Sequence, residues 1–499
     1  MSALAAPRPA EASGARGPGP ALGLAAGGAI FGLLAGGLVG SGRAGGIAAL
    51  AVVVLPVVLC KRPQLAPAVV VAGALAVEQF PSSGGSLTGA PSAPVPLTAH
   101  IPLFHGIGAA HVAPADIVLL LVLALCAGRG RSRGAPLWPR SPVSYALLAL
   151  LAAVAFGIVV GLAHHGSLRV SLMETRPFAY LAATYVAASV LASTRTAIRA
   201  VLWALVLAVA LKATLALVIF IQVRHMSPRP DALLGHEETF FFGLFVVLVL
   251  ALWLFDVPGR LRTTATLLLP LVLAGDLANN RRVAWLVLGG GLIALTAVAL
   301  RWLPARRHFL GRISVVAVAV LAVYFPAYWN HSGGLAQPAR AVHSIVAPDP
   351  RDASSDMYRV QEDANLRLNI REGGVIGKGF GVRIDYPLPI ADISSIDPFI
   401  AYIPHDGVLY ILMRMGLLGA VAFWALLAAG IVGGCRLARA ADRELAVVGA
   451  LGVSALVGYT LMGAVDQGFF FYRIAFVVGT LLGLAEAARR LLRTPAVRP

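Results

Sequence analysis

Residues 199–222, RAVLWALVLAVALKATLALVIFIQ, decide the fold class. They hold no acid, glycine or proline, and after Arg199 their only charge is Lys212. At about 1.5 Å of rise per residue, such a helix crosses a hydrocarbon layer about 30 Å thick. Apolar runs of the same kind, bounded by charges or Gly/Pro clusters, recur at 21–42, 44–60, 65–80, 114–128, 143–163, 179–193, 239–255, 264–279, 283–300, 313–329, 406–434, 445–465 and 473–488. The pattern predicts an all-α integral membrane protein of about 14 (12–14) transmembrane helices, the lower count applying if two short runs merge or re-enter.

Composition agrees. Of 499 residues, 58% are hydrophobic and 13% charged, and the mean hydropathy is +0.82. That leaves too little polar surface to cover a globule in water. Residues 1–20, MSALAAPRPAEASGARGPGP, are too rich in Pro, Gly and Ala to bury a core and read as a disordered cytoplasmic tail. The apolar run after them continues into a second helix, which argues against a cleaved signal peptide. Residues 21–200 supply N-terminal transmembrane helices, 201–488 a core, and 489–499 a basic cytoplasmic tail. Cys60, Cys126 and Cys435 show neither metal-ligand spacing nor a disulfide framework.

Lysine and arginine outnumber the acids 40 to 23, a formal charge of +17. Arginines crowd the tails and alternate loops, around 129–140, 195–199, 260–262, 301–312 and 436–443. By the positive-inside rule these loops and both termini are cytoplasmic, so the surplus needs no nucleic-acid partner. One large external loop results, residues 330–404. Within it Met357, Val360, Ala364 and Leu368 recur at helical spacing, and Gly373-Gly374 supplies a stop, so a helix over 352–372 lying on the outer membrane surface is expected. A second external loop, 81–113, reads as a Pro/Gly/Ser-rich connector.

Arginines that break the orientation rule mark where chemistry belongs. Arg169, Arg176, Arg224, Arg229, Arg281 and Arg282 all fall on the outer side. A guanidinium keeps its proton and donates two parallel hydrogen bonds, which suits a diphosphate; contacts with lipid headgroups or rim salt bridges are the ordinary alternative. Arg414 lies inside a helix and calls for a partner, with Glu78, Asp466 or a ligand phosphate as candidates. Residues 401–424, AYIPHDGVLYILMRMGLLGAVAFW, place His405 and Asp406 just before an apolar helix. A histidine there can take a proton from a hydroxyl with a carboxylate supporting the imidazolium, or Asp406 can cap the helix.

These residues resemble the signature of the O-antigen ligase and polymerase family of polytopic glycosyltransferases: a histidine, a neutral polar residue, nine residues, then Gly-x-x-Gly. His405, Asp406, Gly416 and Gly419 reproduce the spacing, with Asp406 in place of the neutral residue. Residues 277–291, LANNRRVAWLVLGGG, resemble the family's Ser-Arg-x-x-Trp segment and imply Arg282 for its arginine, with Arg281 where the serine stands. Residues 224–245, RHMSPRPDALLGHEETFFFGLF, resemble its arginine-bearing external loop and imply Arg229, then Arg224. Residues 366–381, LRLNIREGGVIGKGFG, resemble the Gly-x-Gly-x-Gly turn before the histidine, here Gly377, Gly379 and Gly381. The resemblance spans residues 200–475. It implies a GT-C-like enzyme of the cytoplasmic (inner) membrane, with no cofactor and no metal. Such an enzyme moves a glycan from a polyprenyl diphosphate carrier to a hydroxyl of a glycan or lipid-glycan acceptor on the external face. The displacement is inverting, with His405 as base, Asp406 orienting it, and Arg229, Arg282, Arg224, Arg281 and Arg176 available to the diphosphate.

A transporter or flippase of lipid-linked oligosaccharides is the competing expectation, although the hydropathy shows no internal repeat. A metal-dependent glycosyltransferase would need acids in 81–113, which has none. GGVIGKGFG lacks the spacing of a phosphate-binding P-loop and reads as a turn, and His100, His105, His111 and the stretch GHEET lack that of a zinc protease. Phe240–Phe242 and Phe469–Tyr472 read as interfacial aromatics at helix ends.

Overall fold

A computed structural model describes residues 59–79, 92–104, 106, 112–133, 138–230, 232–331, 334–394 and 399–493. The tail 1–20, the span expected at 21–42, nearly all of 44–60, most of the loop 81–113 and residues 494–499 lie outside the described residues. The described residues all fall within the second of the two units into which the chain divides, Pro56–Pro499. Among the described residues of the second, regular structure is helical: α1 (Ala66–Ala76), α2 (Pro114–Arg133), α3 (Pro142–Ala163), α4 (Leu168–Leu191), α5 (Arg195–Val223), α6 (Glu237–Leu254), α7 (Arg260–Asn279), α8 (Val283–Trp302), α9 (Arg307–Tyr328), α10 (Gln337–Val346), α11 (Pro350–Gly373), α12 (Gly407–Ala438), α13 (Arg443–Val465) and α14 (Tyr472–Arg493).

Helix starts follow from local chemistry. Ser141, Thr194, Asp349, Asp406 and Asp442 each offer a side-chain oxygen to the amide three residues on, capping α3, α5, α11, α12 and α13. Among the described residues, eight helices are long and apolar enough to cross a membrane: α3, α5, α6, α7, α8, the stretch Pro304–Tyr328 that contains α9, α12 and α13. The chain is a multi-pass membrane protein. Outside that set, α1 has only 11 residues, and α2, α4 and α14 carry charges that lower their hydropathy. Yet α4 and α14 form the most extensive helix pair, and α14 is buried from Tyr472 to Ala488. A helix at the centre of a bundle faces protein rather than lipid, so its charged residues meet partners there. Helix α9 is the opposite case, apolar and almost wholly exposed.

Two clusters of contacts define the bundle's ends. At one, Arg195 pairs with Asp442, Arg199 with Glu444 at 2.6 Å and Arg443 with Asp256 at 2.7 Å. At the other, Ser167 meets Gly381, His236 meets Asp466 and Arg282 meets Asp356.

Helix α11 forms over Pro350–Gly373 and stops at Gly374, and the face it turns to the protein is largely polar. Met357 and Val360 are exposed, whereas Tyr358, Glu362, Asn365, Leu366 and Asn369 point inward. The reason lies in the irregular chain beneath, whose backbone groups need partners when buried. Asn365 accepts the Leu388 amide at 2.8 Å and donates to the Leu388 carbonyl at 3.2 Å. Asn369 does the same for Asp385, at 3.1 and 2.7 Å. The aromatic runs also depart from expectation: Phe240–Phe242 and Phe469–Tyr472 are core residues, not an interfacial belt. Phe470 packs on Tyr410 at 4.1 Å between ring centres, and Phe469 on Phe423 and Tyr459, filling space between α12, α13 and α14.

Candidate active site

The site rests on a broken helix and a glycine wedge. Helix α12 loses helical geometry at Gly416, where φ is 61° and a Cβ would lie 2.0 Å from the Val375 carbonyl oxygen. The break frees the carbonyls of Met413 and Arg414. They accept from the amides of Lys378 at 2.7 Å and Gly379 at 3.1 Å, while the Phe380 amide donates to Gly157 of α3 at 3.0 Å. Gly377, Gly379 and Gly381 all have φ near +80° (79°, 81° and 78°), and a Cβ on Gly379 would sit 2.0 Å from the Gly161 nitrogen. Only glycine takes that conformation between two backbones. Non-helical chain inside a membrane bundle is tolerated where protein satisfies it, as here. Gly419 lies buried in regular helix one turn past the break. Lys378 reaches Glu372 and Asp385 at 2.7 Å and Asn369 at 2.9 Å, so it holds the turn together.

Arg414 locks this wedge. Fully buried, it donates to the carbonyls of Gly379 at 3.0 Å, Val382 at 2.6 Å and Tyr402 at 2.7 Å, and pairs with Glu174 of α4 at 2.8 Å. Glu174, and neither Glu78 nor Asp466, is its partner. Glu174 also accepts from Tyr410 Oη at 2.8 Å and from the Gly381 amide. The Tyr402 carbonyl stands three residues before His405, so the buried pair fixes the approach to the histidine.

His405 sits between that anchor and the start of α12. Its Nδ1 lies 3.2 and 3.3 Å from the two carboxylate oxygens of Glu362, which also accepts the His405 amide at 2.9 Å. Burial alone would lower the imidazole's proton affinity, but Glu362 outweighs it and raises His405 above its ordinary value. Asp406 has the other role open to it: its Oδ1 accepts the Leu409 amide at 2.8 Å, and no hydrogen bond joins it to the imidazole. The carboxylate that orients His405 is Glu362.

A second imidazole–carboxylate pair stands beside the first. His236, just before α6, bonds through Nδ1 to Asp466 at the end of α13. Burial works to raise Asp466, but His236 and the charge of Arg359 hold its carboxyl well below the usual range. Burial first, and then Arg281, lower the proton affinity of His236, while Asp466 works to raise it. Gln467 donates to the Ile403 carbonyl at 3.3 Å, stitching this corner to the His405 strand.

The arginines separate. Arg281 donates to the Leu234 carbonyl at 3.2 Å and lies by His236. Arg282 faces α10 and α11, 3.1 Å from Ser344, 3.3 Å from Asp356 and 3.4 Å from Asp352. Arg176 pairs with Asp116 of α2 at 3.2 Å. Arg224 is exposed and donates to His225 at 2.8 Å. Arg229 is exposed and makes no hydrogen bond or ion pair among the described residues. Arg359 of α11 was not foreseen; its charge acts on His405, His236 and Asp466 together.

Deeper in the bundle, Lys212 pairs with Glu78 and, at 3.1 Å, with Glu238, and Arg473 meets Glu237 at 2.9 Å and Glu238 at 2.6 Å. Glu78 and Arg473 are both buried in this network.

Comparison with family models and with curated proteins finds no match for the chain. Sequence reading missed Glu362, Arg359 and the His236–Asp466 pair. One signal was present: Glu362, Asn365 and Asn369 recur at helical spacing as a polar stripe beside a Gly-rich turn.

Proposed function

We propose that the protein is a membrane glycosyltransferase of the O-antigen ligase or polysaccharide polymerase type. It transfers a glycan from a polyprenyl diphosphate carrier to an acceptor hydroxyl on the external face of the cytoplasmic membrane. The observation that carries this reading is the His405–Glu362 pair, an imidazole with a fully buried carboxylate behind Nδ1 and the charge of Arg359 acting on it. The acceptor oxygen attacks the anomeric carbon, its proton passes to Nε2 of His405, and the bond from that carbon to the diphosphate oxygen breaks with its electron pair on the leaving group. Glu362 stabilises the imidazolium that forms. Arg359, Arg281 and Arg282 meet the charge that develops on the diphosphate. Asp406 serves by capping α12. Both termini are cytoplasmic in this reading, on the strength of the arginine-rich loops at the opposite end.

The buried network of Lys212, Glu78, Glu237, Glu238 and Arg473 favours a second reading, a transporter or flippase of lipid-linked oligosaccharides, because intramembrane charge is costly and often marks a transport path. Reconstitution with labelled polyprenyl diphosphate glycan and candidate acceptors, with and without chelator, separates the two. Glycan transfer lost in His405→Ala supports the enzyme. Lipid movement without bond cleavage supports the flippase.

A further inference from the structure

His236 stands in the stretch GHEET, a motif that the reaction above leaves unused. Its two following glutamates turn inward to Arg473 and Lys212. The histidine itself occupies the capping position of α6 yet gives its side chain to no amide there. Nδ1 goes to Asp466 instead, a carboxylate only 3% exposed. That anion sits at the C-terminal end of α13, where the helix dipole disfavours it. Its other oxygen accepts the Gln467 amide at 2.8 Å. An ionised group kept at the wrong end of a helix has a second purpose, and here it fixes the imidazole tautomer. With the proton on Nδ1, Nε2 presents a lone pair. The side chain is 37% exposed, and Nε2 meets no partner among the described residues.

We propose that His236 is a sugar-binding residue of this site: its Nε2 accepts a hydroxyl of the acceptor glycan and sets that sugar against His405. The inference rests on the glycosyltransferase reading and names the part of the substrate this corner takes. Asp466 after α13 bonds to His236, Arg281 in the α7–α8 turn and Arg359 on α11 act on it through their charge, and His405 before α12 acts on the same Asp466. With Nδ1 engaged by Asp466, the free lone pair on Nε2 suits a hydroxyl donor. A phosphate oxygen would ask for a protonated ring. The two histidines therefore divide the work. His405, backed by Glu362, takes the proton; His236, backed by Asp466, holds the sugar that gives it.

The test uses the full chain in nanodiscs, with donor and acceptor purified from the cells that make the protein. His236→Asn keeps a donor toward Asp466 and loses the Nε2 acceptor; His236→Gln returns an amide oxygen near the Nε2 position. The Asn variant is expected to raise the acceptor KM about tenfold, the worth of one hydrogen bond, with donor KM changed by less than about twofold. The Gln variant recovers most of the loss. A change confined to donor KM, a fall in kcat at saturating acceptor, or wild-type kinetics would overturn the assignment. If the wild-type protein transfers no glycan, the glycosyltransferase reading fails separately. The inference is then read from carbethoxylation of His236 by diethyl pyrocarbonate, located by mass spectrometry. Protection by oligosaccharides released from the acceptor, and not by inorganic pyrophosphate, upholds it. Protection by pyrophosphate, or by neither probe, refutes it.

Discussion

Removing Arg414 tests whether a buried ion pair holds the wedge under the histidine. Its guanidinium satisfies three carbonyls and the Glu174 carboxylate, and neither side chain has any exposed surface. In Arg414→Met the carboxylate stays buried without its counterion, which costs about 3–5 kcal/mol. The three carbonyls lose their donor, and although backbone shifts recover part of this, each orphaned group costs about 1 kcal/mol or more. Glu174→Gln is milder, because Arg414 keeps its carbonyls and an amide oxygen can still accept from Tyr410 and Gly381. The double variant carries no net buried charge at this point. It should be less destabilised than the sum of the single variants by about 2 kcal/mol, a coupling expected of groups in direct contact. Unfolding in mixed micelles titrated with a denaturing detergent, followed by tryptophan fluorescence, measures all four corners of the cycle. Additivity within about 0.5 kcal/mol would refute the argument that this pair, rather than general packing, secures the chain between Gly379 and Tyr402.

Four further outcomes are expected. Gly379→Ala forces a positive φ and drives a Cβ onto the Gly161 nitrogen, so it should destabilise by about 2–5 kcal/mol in the same titration. Glu362→Gln removes the group that raises His405, so the imidazole loses its proton at lower pH and the acid limb of the kcat/KM profile moves downward; an unmoved limb would take Glu362 out of that role. Arg282→Lys keeps the charge but loses the fork that spans Asp352, Asp356 and Ser344. It should lower turnover while costing no more than about 1 kcal/mol of stability, since the group is partly exposed, and wild-type turnover would remove Arg282 from the site. Glycan transfer should persist in chelator, measured as product formed from labelled donor.

Much of the site was legible in one dimension. His405, Asp406, Gly416 and Gly377–Gly381 could be singled out because spacing along a chain survives folding, and Asp406 could be read as a cap because capping involves only the next three residues. Glu362 could not be paired with His405, since 43 residues separate them and only the docking of α11 brings them together. The polar inward face of α11 was hidden for a related reason: its neighbour is irregular backbone that needs hydrogen bonds, and which backbone lies beneath a helix is not written in its own periodicity.

Composition and hydrophobic run length alone settled that the chain is helical and crosses a membrane several times, because a bilayer imposes one length and one polarity on any segment within it. Which cations face which acids was decided only by tertiary structure. Arg414 with Glu174, Arg473 with Glu237 and Glu238, and His236 with Asp466 join residues more than two hundred positions apart. A charge in a low-dielectric interior must find a partner, but sequence states only that one is required. The packing of helices against one another selects which.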